Sequence, residues 1–145
     1  MGMYTEFVFA SELKKETPKE VIDILKYMVG NVEEYACELP NNDLFKTERW
    51  EFMLRCDSYY FDGKTSSIFV YDDISKSYFI TIRCNLKNYD SEIEKFCDWI
   101  SPYLKQYNNN FLGYHRYEEF NNPTLLYYVN GKVKEFYVNC VEDYF

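Results

Sequence analysis

The run from Phe111 to Val138, FLGYHRYEEFNNPTLLYYVNGKVKEFYV, limits what this chain can become more than any other stretch. It reads as three consecutive antiparallel strands. Asn130-Gly131 separates the last two, and an Asn-Gly pair between alternating runs is a strong hairpin signal, because both residues tolerate the positive φ that such a turn demands. A sheet begun in this way must bury one face. Two upstream segments are built to cover it.

The first begins at Thr17-Pro18-Lys19-Glu20, where a capping residue, a proline at the first helical position and a glutamate three residues on form a capping box. Val21, Ile22, Leu25, Met28 and Val29 then make one apolar stripe, and Gly30-Asn31 stops it. The second begins at Ser91 with Glu94, or with Asp90 as the cap. Its stripe is Ile93, Phe96, Cys97, Ile100 and Leu104. Pro102 falls inside this run and either kinks the helix or ends it near Trp99.

Four more strands are predicted. Residues 3–13 alternate, with Phe7 and Phe9 on the side better suited to a core. Residues 50–61, 67–71 and 78–86 are rich in aromatic and β-branched residues, the last two forming a hairpin around Asp72-Asp73. Residues 31–48 read as a short helical turn or irregular chain and then a loop. The expectation is one α+β domain over residues 1–145. It is a largely antiparallel sheet of about six to seven strands with two amphipathic helices packed on one face. The other face must be covered by the acidic loop, by another subunit, or by tyrosines facing water.

Charge narrows the partners. The formal net charge of −8 opposes direct binding to nucleic acid or an anionic membrane, since a phosphate-binding surface needs a cationic footprint. A basic protein partner fits better, as does an inhibitor whose carboxylates imitate phosphates. The aromatic share of 21% suits half-buried sheet faces and binding surfaces alike. Cys37, Cys56, Cys84, Cys97 and Cys140 are odd in number and contain no C-x-x-C, which predicts reduced thiols in cytoplasm. No signal peptide and no apolar run of membrane-span length is visible.

No nucleophile elbow, phosphate loop or metalloprotease motif occurs. No acidic or thiol cluster has metal-ligand spacing, so neither a metal nor a cofactor is expected. Acid–base chemistry is confined to the single histidine, His115, with Tyr117 and Glu119 on the same side of an alternating strand. Neighbours two apart on a strand stand about 6–7 Å apart, so the three meet only with help. Against this stands an ordinary hydrogen-bonded strand histidine. For recognition, the candidates are Trp50, Tyr59, Tyr60, Tyr127 and Tyr128, because aromatics carry interface energy.

Three pieces, MGMYTEFVF, ETPKEVIDILKYMVG and GYHRYEEFNNPTLLYY, resemble a group of small proteins encoded by tailed bacteriophages and prophages. The resemblance spans nearly the whole length. It implies an accessory protein made in the cytoplasm of a bacterial host, and no site residue follows from it. The leading expectation is therefore a non-enzymatic protein that binds a host or phage protein. The alternatives are a small hydrolase or nucleotide-processing enzyme centred on His115, or a homodimer that sequesters a small molecule.

Overall fold

Strand β1 (Thr5–Glu12) lies inside the sheet, paired antiparallel to β3 (Ser77–Leu86) on one side and to β4 (Asn110–Tyr117) on the other. A computed structural model describes residues 3–59 and 61–138. With β2 (Ile68–Asp72), β5 (Thr124–Val129) and β6 (Lys132–Tyr137), the strand order is β2-β3-β1-β4-β5-β6 in one six-stranded antiparallel sheet. Helices α1 (Lys19–Met28) and α2 (Glu92–Ile100) complete the predicted α+β architecture. No helix among the described residues is long and apolar enough to cross a membrane.

Alternation decides which face is buried. Phe7 pairs with Cys84 and Phe9 with Ile82, and all four are buried. Phe96 of α2 sits edge-on to both phenylalanines, with ring centroids 6.0 and 6.2 Å away. Burying one such side chain contributes about 1.5–3 kcal/mol. On α1 the stripe buries Val21, Ile22, Ile24, Leu25 and Met28.

The helix starts use different atoms from those predicted. The Thr17 hydroxyl donates to the Lys14 carbonyl, Pro18 stands at the N-cap, and no side chain caps α1. At α2 the Ser91 side chain makes no capping bond. Instead Asn88 Oδ1 accepts from Ile93 N at 2.9 Å and Glu92 Oε1 accepts from Asp90 N at 3.0 Å. Pro102 does end the helix: α2 stops at Ile100 and a 3-10 turn follows over Ser101–Tyr103.

Residues 50–61 do not form the predicted strand. Met53 and Leu54 are adjacent and both fully buried, which an alternating strand cannot achieve. The chain makes a 3-10 turn over Met53–Arg55. Residues 57–59 and 61–66 then cover part of the far face of the sheet. Phe61 lies under the Arg116 guanidinium at 5.1 Å, and the Asn85 amide donates to Asp57 at 3.1 Å. Between β5 and β6, Asn130 and Gly131 take φ of 52° and 81°, as the hairpin requires.

Among the described residues Cys37, Cys56, Cys84 and Cys97 are free thiols. Burial pushes the Cys84 and Cys97 thiols well above the ordinary range.

Candidate functional site: the His115 cleft

His115 is held on the helix-covered face of β4 by its pairing with Phe7 of β1 and Thr124 of β5. Two residues upstream, the β4–β5 register shifts between Phe111 and Gly113, a β-bulge. Bulges commonly re-aim the side chains beside them. Here the bulge leaves Leu112 buried, and His115 keeps the side on which Phe7 lies.

The imidazole meets two carboxylates from different elements. His115 Nε2 lies 2.9 Å from Glu135 Oε2 of β6 and 3.9 Å from Glu94 Oε2 of α2. An ionised carboxylate can only accept, so in the neutral ring Nε2 carries the proton and Nδ1 is the basic nitrogen. Among the described residues Nδ1 has no hydrogen-bond partner. Glu94 is itself positioned, because Asn88 Nδ2 donates to its Oε1 at 2.8 Å. The amide of Asn88 thus caps α2 with one atom and fixes Glu94 with the other.

These groups form the floor of an open cleft of about 540 Å³. Its walls carry aromatic rings: Tyr89, Tyr117, Phe120 and Tyr137. Arg116 also borders it, yet its guanidinium is turned to the opposite face, 3.8 Å from Glu6 and over Phe61. Among the described residues no lysine lines the cleft, so there the two carboxylates face it without a fixed countercharge. On the inner side, a smaller hollow of about 110 Å³ brings Cys97 against the same three side chains. Burial, then the nearby Glu94 and Glu135, raise the Cys97 thiol well above its usual value. A thiolate nucleophile beside His115 is therefore disfavoured.

Of the predicted trio, Tyr117 does share the cleft with His115. Burial, then the Glu119 and Glu118 carboxylates, raise its phenol above the ordinary value. Glu119 does not join them. β4 ends at Tyr117 and the chain turns, with Phe120 N donating to the Tyr117 carbonyl at 2.9 Å, so the alternation stops two residues short of Glu119. Glu119 lines an adjoining hollow that shares Phe120, Asn122, Thr124 and Tyr137 with the cleft, and does not itself border the cleft.

The recognition candidates scatter. Trp50 is buried at 4% exposure among Tyr27, Tyr35 and Phe45, which removes it from any surface. Tyr128 packs against the core. Tyr59 is fully exposed, and Tyr60 lies outside the described residues. Tyr127 stands on the uncovered face between Phe111 and Phe136, with centroids 5.3 and 5.5 Å away.

Sequence reasoning missed Glu94 and Glu135, which lie 21 residues before and 20 after the histidine. One signal was present. In KVKEFY, Glu135 shares the inward side with Val133, and a carboxylate on an inward position asks for a partner. Comparison with protein-family models, curated proteins and solved structures finds no match.

Proposed function

We infer that this protein binds a small molecule or ion in the His115 cleft, and that the bound species brings positive charge to the floor made by Glu94 and Glu135. The observation that carries this is the 2.9 Å contact between the lone imidazole and Glu135 at the floor of an open cavity with a second carboxylate beside it. Aromatic walls suit the same occupant, since ring faces attract cations. The reading replaces the expected protein partner with a small molecule or ion, which is nearer to the sequestration alternative. It moves the site from a flat tyrosine surface to a cleft.

Nuclear magnetic resonance tests this with one probe, because the chain has a single histidine and so a single set of imidazole signals. Small organic amines, such as agmatine and spermidine, and divalent metal ions are expected to shift or broaden those signals. Carboxylates and phosphates of similar size are expected to leave them in place. Glu94→Gln and Glu135→Gln are expected to abolish the response. If no cation moves the imidazole signals, or both variants respond as the parent does, the reading falls.

A second reading rests on the uncovered face. Phe111 and Phe136 are about half exposed there and flank Tyr127. Lys134 pairs with Tyr127 on that same face. The chemistry there favours an acidic protein surface over the basic partner that the net charge alone suggests. Loss of binding to a captured partner on Phe136→Asp, with the cleft variants unaffected, would favour this reading over the first.

A further inference from the structure

We propose that Glu94, His115 and Glu135 together hold one divalent transition-metal ion, which is the positive charge that the cleft takes. This rests on the cleft being the working site and names its occupant.

The geometry is that of a metal site one small adjustment from closure. One ligand atom from each residue lies within 4.8 Å of the other two. An ion about 2.1 Å from nitrogen and oxygen donors separates them by roughly 3–3.5 Å. The 2.9 Å His115–Glu135 distance is already close to that range, and the 3.9 Å His115–Glu94 distance needs only a side-chain shift of Glu94. The three donors come from α2, β4 and β6, so the fold fixes their mutual positions and no single loop does.

Two further observations point to a ligand. Asn88 Nδ2 donates to Glu94, which is how outer-shell groups orient a ligating carboxylate. The open cleft lies against the three donors, leaving coordination positions for water or for an oxygen of a bound molecule. One imidazole and two carboxylates suit Zn²⁺ or Mn²⁺ better than Ca²⁺, which prefers six to eight oxygens. Binding at Nε2 takes the other tautomer: in the neutral ring the proton passes from Nε2 to Nδ1, and only a doubly protonated ring gives one up to solvent.

The test uses the full chain, stripped of metal with a chelator and dialysed against Mn²⁺. Manganese is chosen because the free thiols compete poorly for it. The expected result is one Mn²⁺ per chain by elemental analysis. Uptake is expected to be lost in His115→Gln and in Glu135→Gln, and weakened 10- to 100-fold in Asn88→Ala. In the parent protein, Mn²⁺ should broaden the single set of imidazole signals, a measurement that needs no variant to fold. Absence of uptake, sharp imidazole signals at saturating Mn²⁺, or equal uptake by His115→Gln overturns the proposal. If agmatine or spermidine perturbs the imidazole while Mn²⁺ and Zn²⁺ do not, this proposal fails and the cleft reading stands. If nothing does, both fail.

Discussion

Glu135 reaches His115 over an intervening strand. Their strands, β4 and β6, flank β5, so the backbones stand about two interstrand steps, roughly 9.5 Å, apart. The carboxylate and imidazole nevertheless close to 2.9 Å above Leu126 and Thr124 of β5. The Glu135 side chain stays 30% exposed, which limits what the pair gives to folding. Glu135→Gln should therefore change unfolding free energy by less than about 1 kcal/mol in urea titrations. The same substitution should change the imidazole signals of His115 outright. A large loss of stability would mean that the pair serves the fold instead of a ligand.

Trp50 should behave in the opposite way. It links Tyr27 and Tyr35 near α1 to Phe45, which in turn meets Trp99 of α2 at 5.3 Å. From Trp99 the ring contacts run to Phe96 and then to Phe7 and Phe9. These rings thus form one packed chain, joining the irregular segment to the sheet. Trp50→Ala should cost about 3–5 kcal/mol of stability. A denaturation midpoint near that of the parent would show that the segment does not need this ring.

The contrast explains what could be read beforehand. The helices and hairpins were visible because each rests on local periodicity, as in Val21 to Met28, or on local turn chemistry, as at Asn130-Gly131. Residues 50–61 misled because aromatic content imitates a strand, whereas tertiary burial of both Met53 and Leu54 fixed a turn. The site was half visible. His115 and Tyr117 are local neighbours on one strand, and Glu119 failed because the strand ends first. Glu94 and Glu135 join only when α2 lies over the sheet and β6 pairs with β5, a relationship that spacing along the chain does not encode.

Gly113 offers a test of how the bulge holds β4 in place. Its φ is 157°, and a Cβ there would lie 1.9 Å from the Val8 carbonyl oxygen, a backbone atom of β1. A methyl group forces the two strands apart. Gly113→Ala should lose about 1–3 kcal/mol by overpacking, and the imidazole signals of His115 should move with it. Unchanged stability and unchanged signals would mean that β4 reaches its position without the close approach.

Glu92 is a carboxylate with no exposed surface. Arg49 Nη1 lies 3.5 Å from its Oε2, 3.7 Å from Asp90, and the guanidinium sits over the Tyr89 ring at 5.0 Å. Removing the arginine strips a buried acceptor of its charged partner, which costs about 1–3 kcal/mol. Arg49→Ala should lose that much, and Glu92→Gln in the Arg49→Ala background should recover part of it. Purely additive losses in this double-mutant cycle would show that the two side chains do not couple.

Acid should expose a different carboxylate. Asp57 Oδ1 accepts from Ser58 N at 2.8 Å and from Asn85 Nδ2 at 3.1 Å. These bonds, the Ser58 one foremost, hold its carboxyl below the ordinary value. A group with a depressed folded pKa contributes stability that is present above the unfolded carboxyl value, about 3.9, and is lost as pH falls through the folded one. Asn at this position still accepts both bonds and does not titrate. Unfolding curves of the parent and of Asp57→Asn should therefore keep a constant offset from neutral pH down to about pH 5, and the offset should shift against the parent below about pH 4. A constant offset through pH 3 would mean that these bonds do not favour the ionised carboxylate over its protonated form.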